Sequence, residues 1–163
     1  SFGGYDPNNI TLRMLKLIKS QDRFLEDLIV ILGPGYKHDF QEIYKYVHPD
    51  QVVINPKDIF KIFQKSYIVL TAMGVTVQEL FCMGIPCGIV YNYDYDEFDL
   101  EKITQSSNFY RPEEDIIHSF GHFESVDQEQ LLKELNLRKF SNEIFNPLMQ
   151  AGHLWKSFLD DVS

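Results

Sequence analysis

Two glycine-bearing turns carry the residue types that could hold a phosphorylated ligand. The first, Ser1-Phe2-Gly3-Gly4-Tyr5-Asp6-Pro7-Asn8-Asn9, pairs two glycines ahead of Asn8 and Asn9, either of which can cap the helix that follows. Gly3 and Gly4 permit positive φ and close approach of backbone to ligand. Free amides at such a helix N-terminus hold phosphate without any Lys or Arg. The plainer reading is an ordinary tight turn between a strand and a helix.

The second turn, Thr71-Ala72-Met73-Gly74-Val75-Thr76-Val77-Gln78-Glu79-Leu80, ends an apolar run and opens a helix. Glu79 lies about one turn inside that helix, where its carboxylate can accept two hydrogen bonds from a ribose diol. The Gly74 amide and Thr76 are in reach of phosphate. Thr76 and Glu79 also have the Thr-x-x-Glu spacing of a capping box, and spacing alone favours that structural role.

Other chemistry-bearing residues form weaker patterns. Asp94, Asp96, Glu97 and Asp99 make an acidic run with Tyr93, Tyr95 and Phe98, which reads first as a solvated face. His118 and His122 are four apart with no third ligand at metal-site spacing, so no metal site is assigned. His38 and His48 read as surface residues. Cys82 and Cys87 sit in apolar surroundings and read as reduced thiols of a cytoplasmic protein, with a disulfide as the minor alternative.

The elements that must position these turns alternate between strand and helix. Ile10, Met14, Leu15, Leu17 and Ile18 recur at helical spacing after the first turn. Residues 28–32 form a continuous apolar run closed by Gly33-Pro34-Gly35, as expected of a strand buried on both faces. A short helix over 39–46, a strand over 51–54 and a helix carrying Ile59, Phe60, Ile62 and Phe63 follow. Strands over 67–71 and 87–91 then flank a helix over 75–83, and a weaker helix ends near Thr104. Residues 115–120 form a last strand or an extended loop, Asp127 caps a helix through Leu131, Leu132 and Leu135, and terminal helices break near Pro147 or Gly152. This alternation predicts an α/β fold, a Rossmann-like open parallel sheet with helices on both faces. Ligands of such sheets bind outside the carboxyl ends of the strands.

Composition fits one globular domain. Among 163 residues, 15 Lys and Arg against 24 Asp and Glu leave a formal charge of −9. Such a mean field repels polyphosphate, which argues against nucleic acid and anionic membranes as partners, so any phosphate must be held locally. No apolar run approaches the roughly 18 residues that span a bilayer, and no cofactor motif is present. The opening Ser1-Phe2-Gly3-Gly4 reads as the end of a strand and its turn, which leads us to expect a fragment of a longer polypeptide; proteolysis gives the same appearance.

Taken in order, Ser-Phe-Gly-Gly-x-Asp-x-x-Asn at 1–9, Ile-Leu-Gly-Pro-Gly at 31–35, Thr-x-x-Glu-Leu-x-x-x-Gly-Ile-Pro at 76–86 and Gly-His-Phe-Glu-Ser-Val at 121–126 resemble a known family. The set is similar to the C-terminal half of the UDP-sugar hydrolase of pseudaminic-acid biosynthesis and of spore-coat polysaccharide biosynthesis proteins. These in turn are similar to the nucleotide-binding C-terminal half of GT-B glycosyltransferases. The resemblance covers roughly residues 1–135. It implies that Gly3 and Gly4 approach a nucleotide diphosphate, that Gly74, Val75 and Thr76 supply amides to it, and that Glu79 takes the ribose hydroxyls. Gly33 and Gly35 would lie near the uracil. The implied partners are UDP or a UDP-sugar and an N-terminal domain of the same protein, which would supply the catalytic groups; no catalytic residue is named within 1–163. Met73 and Val75 depart from the small or hydroxyl residues usual in that turn, and Asn92-Tyr93 departs from the usual Asn-Gln. These departures support a rival reading, a non-catalytic partner or regulatory module with a degenerate nucleotide pocket.

Overall fold

A computed structural model of the chain describes residues 1–105 and 117–141. The elements are α1 (Ile10–Ile18), α2 (Asp22–Glu26), β1 (Val30–Leu32), α3 (Phe40–Tyr44), β2 (Val52–Ile54), α4 (Phe60–Phe63), β3 (Val69–Ala72), α5 (Val75–Cys82), β4 (Cys87–Tyr91), α6 (Asp96–Gln105), β5 (Ile117–His122) and α7 (Gln128–Ser141), with a 3-10 turn at Pro49–Gln51 before β2. The expected α/β alternation is present. The proposed terminal helices beyond Ser141 lie outside the described residues.

All the strand pairings are parallel, but the hydrogen-bonded ladders number two among the described residues. β1 pairs with β2, and β3, β4 and β5 form the second ladder in that order. The chain start lies between them. The Ser1 ammonium donates to the Leu70 C=O at 2.8 Å, and the Gly35 N–H donates to the Gly4 C=O at 2.8 Å. Spatial order is therefore β2, β1, residues 1–4, β3, β4, β5, the open parallel α/β arrangement the sequence predicts, divided into two ladders.

Helices cover both faces. On one, Ile10, Met14 and Ile18 of α1 pack with Phe2, Ala72, Val90, Phe120 and α7 residues Leu131 and Leu135. Leu12 and Leu15, on the adjoining stripe of α1, pack with Val30, Leu32, Tyr36, Ile43 and Val47. One amphipathic helix thus bridges both ladders, as its i, i+4, i+8 spacing allows. On the opposite face Phe63, Val77, Leu80, Phe81 and Leu100 from α4, α5 and α6 bury Ile31, Val69, Ile89 and Ile117. β4 is buried along its whole length, which accounts for its uninterrupted apolar sequence.

Three local features differ from expectation. Of residues 28–32 only Val30–Leu32 pairs as strand, because the Gln51 side chain, rather than β2 backbone, takes the Leu28 and Leu25 carbonyls at 2.9 and 2.6 Å. The short helix α2 is an addition to the predicted elements. Cys87 is buried in β4 as expected, whereas Cys82 is exposed, and the two are not joined by a disulfide.

This packing predicts a sharp contrast between two isoleucines. Ile89→Ala, at a fully buried site in β4, is expected to cost about 2–5 kcal/mol. Ile54→Ala, on the half-exposed end of β2, is expected to cost less than about 0.5 kcal/mol. Urea denaturation of both variants measures the difference.

Candidate functional site

The turns singled out in the sequence leave the sheet at the carboxyl ends of neighbouring strands. Two of them meet directly. A Cβ on Gly33 would come within 2.5 Å of the Gly4 Cα, and one on Gly35 would come within 2.5 Å of the Tyr5 ring. The turn after β1 therefore requires glycine at both positions for the Gly3–Gly4 backbone and Tyr5 to lie against it. Gly3 itself turns at φ 84, a conformation glycine adopts without steric cost. Tyr5 rests on Gly35 yet remains 69% exposed, leaving much of its ring open at this edge.

The helix start in the first turn differs from expectation. Neither asparagine caps α1: Asn9 is at the N-cap position without a side-chain bond to the helix. The buried Asp6 carboxylate instead accepts from the Ile10 N–H at 2.7 Å and the Thr11 N–H at 3.0 Å. These two amides are engaged by a residue of the chain, and the positive end of α1 is already opposed by a negative charge. Asn8 and Asn9 hold the edge together in another way. Asn8 Nδ2 donates to Asn92 Oδ1 at 2.7 Å, joining the first turn to the end of β4, and Asn9 Oδ1 accepts from the Tyr36 hydroxyl at 2.9 Å. Burial, with Asp6 and Asp39 nearby, pushes the Tyr36 phenol up to about 12, so it stays a donor. His38 Nε2 lies 2.8 Å from the Asp6 C=O, closing the same turn from its other side.

The second turn is built differently. Helix α5 begins at Val75, so Thr76 is its second residue and not its cap, and Gly74 at the N-cap offers no side chain. The capping box predicted from spacing is therefore not formed. The first turn of α5 holds no acidic residue, and the Glu79 side chain makes no hydrogen bond or ion pair among the described residues. Nothing lies within 4 Å of the position a Gly74 Cβ would take, and Val75 is 69% exposed. Because Ser1 pairs beside Leu70 in β3, the Gly3–Gly4 turn emerges next to this helix start.

The acidic run after β4 is not simply a solvated face. Asp96 is buried and accepts from the Asn92 and Tyr93 N–H groups at 2.7 and 3.0 Å. Asp99 lies 3.6 Å from Lys102, and the exposed Tyr93 and Tyr95 rings stack at 5.2 Å. His118 and His122 serve separate contacts: His118 faces Gln130 and Glu134, and His122 faces Glu124.

Asp6 and Tyr5 match no site pattern in the sequence. The signal for Asp6 was its place four and five residues ahead of the amides it binds, obscured by the two asparagines nearer the helix.

The chain is 28% identical over 116 residues to the uncharacterized protein MJ1062 of Methanocaldococcus jannaschii, an alignment that covers 65% of this chain and 24% of that protein. No family model and no solved structure matches. No described helix is long and apolar enough to cross a membrane.

The cap assignment predicts an ordered pair of effects. Asp6→Ala leaves two buried amides without an acceptor and is expected to cost about 2–3 kcal/mol. Asp6→Asn keeps one acceptor oxygen and should lose roughly half as much. Equal losses in urea denaturation would contradict the two-amide role.

Proposed function

We propose that the chain is the nucleotide-sugar-binding part of an enzyme that cleaves or transfers the sugar of a UDP-sugar in surface-polysaccharide or nonulosonic-acid synthesis. The observation that carries this reading is the start of α5. It opens uncapped at the carboxyl edge of the sheet, and Glu79 stands one turn inside it with no partner among the described residues. In this reading the Gly74, Val75 and Thr76 amides take the diphosphate, aided by the Gly3–Gly4 backbone, and Glu79 accepts from the ribose diol. Gly33 and Gly35 border the base, with the exposed Tyr5 ring as its stacking surface. The engaged amides of α1 are left out of phosphate binding.

Catalytic groups would come from an N-terminal domain outside these residues. The isolated chain then binds uridine nucleotides weakly and turns nothing over. A second reading, a non-catalytic interaction module, is favoured by the stacked and exposed Tyr93–Tyr95 pair and by the exposed Val75.

Calorimetric titration with UDP, with AMP as control, separates the two. Saturable UDP binding weakened about tenfold or more by Glu79→Ala is expected, that being the scale of a lost charged hydrogen bond. No saturation at millimolar UDP, or binding indifferent to Glu79→Ala, would reject the assigned site. Robust UDP-sugar hydrolysis by the isolated chain would reject the division of labour between domains.

A further inference from the structure

The link between β4 and α6, with the first turn of that helix, exposes three aromatic rings. Tyr93, Tyr95 and Phe98 are 45, 60 and 59% exposed. Aromatics scattered singly over a surface carry no message, whereas a contiguous set rimmed by charge marks a contact surface. Hydrogen bonds set the shape of this one. The buried Asp96 carboxylate accepts from the Asn92 and Tyr93 N–H groups, and the Asp96 and Asp99 N–H groups donate to the Tyr93 and Tyr95 carbonyls at 3.1 and 3.2 Å. On this frame the Tyr93 and Tyr95 rings stack with centroids 5.2 Å apart and planes 8° from parallel.

Charge selects what such a surface can hold. Residues 92–105 carry five acids, Asp94, Asp96, Glu97, Asp99 and Glu101, against one base, Lys102. Lys102 shows what the mixture attracts. Its Nζ lies 4.0 Å from the centroid of the Phe98 ring and 3.6 Å from Asp99, so one cation is taken by a ring and a carboxylate together. Tyr93, Asp94, Tyr95 and Glu97 supply the same two components at the start of the helix. Among the described residues no cation lies over the tyrosine pair, and neither Asp94 nor Glu97 forms an ion pair. The Tyr95 phenol is pushed up, first by desolvation and then by Asp96, Tyr93 and Asp99, so it stays neutral beside these carboxylates. A neutral aromatic face bordered by negative charge complements guanidinium, which stacks on rings while its edge pairs with carboxylate. An acidic or phosphorylated partner would be repelled.

We propose that the surface from Tyr93 to Phe98 docks a cationic polypeptide segment, one arginine of which stacks on the Tyr93–Tyr95 pair and pairs with Asp94 or Glu97. Three exposed rings present more area than a single guanidinium covers, so the partner is a chain that sets apolar side chains beside its arginine, the pairing that protein interfaces favour. The inference requires no nucleotide at the start of α5.

Calorimetric titration without nucleotide tests it, with acetyl-Ser-Arg-Leu-Arg-Ser-Arg-Ser-amide as probe and a counterpart carrying glutamine for each arginine. Three proteins are compared. They are the 163-residue chain, a double variant with Tyr93→Ala and Tyr95→Ala that keeps the formal charge of −9, and a double variant with Glu26→Gln and Asp50→Asn that removes two exposed acids elsewhere. Saturable binding of the arginine peptide alone is expected, weakened about tenfold by loss of the tyrosine pair and less than about twofold by loss of the remote acids. On the unsubstituted chain, the Tyr93 and Tyr95 ring resonances are expected to shift as the arginine peptide is added. No saturation at millimolar peptide, or tyrosine rings that do not respond to it, would overturn the proposal. Equal weakening in the two double variants would overturn it as well, by reducing the binding to attraction toward net charge.

Discussion

Gly4 and Gly33 meet backbone to backbone, and the position of everything at the carboxyl edge follows from that contact. It presses the first turn against the end of β1, where Gly35 N–H reaches the Gly4 C=O, while Ser1 is held to β3 through the Leu70 C=O. Residues 1–4 are in this way a hydrogen-bonded link between two parallel ladders that also share helices packed on both faces. Any side chain at position 33 would separate the layers by more than side-chain motion can absorb, because the opposing atoms belong to backbone. Helix α1 then completes the link from above, with one stripe on each ladder.

The two helix starts at this edge solve the same electrostatic problem in opposite ways. The amides opening α1 are met internally by Asp6, a buried carboxylate whose two oxygens each take one N–H. The start of α5 has no such residue, only Gly74 and an acid-free first turn. A helix terminus carries about half a positive charge, and one left without an internal anion is the place where an external one is stabilised. This asymmetry distinguishes two turns that look equivalent as glycine-bearing sequences.

Most of the architecture was legible because it rests on periodicity. The burial of β4 on both faces appears directly as Cys87-Gly88-Ile89-Val90-Tyr91, and the two-stripe α1 as an apolar repeat three and four residues apart. The interruption between ladders was not legible, since apolar runs state that a strand is buried without stating which neighbour it pairs with. The capping box failed for a related reason. Thr76 and Glu79 have the required spacing, but the helix begins one residue earlier at Val75, and a one-residue shift of the start removes Thr76 from the cap. Asp6 escapes such patterns because a cap reaching over three intervening residues depends on the positive φ of Asp6 and Asn9, 43 and 51, which sequence spacing does not encode.

The formal charge of −9 sets the terms for any anion at this edge. At physiological salt the field of distant carboxylates is screened over about 8 Å, so the decisive charges are those within one or two turns of the ligand. Asp96 is spent on the Asn92 and Tyr93 amides, Asp99 is beside Lys102, and Asp6 on the α1 amides, so these acids are each opposed locally. Their negative potential is partly cancelled by the dipoles they bind, while the amides opening α5 have no acidic residue in their own first turn. A diphosphate held there would depend on backbone geometry more than on net charge, and its binding should accordingly respond more to a change at the start of α5 than to added salt.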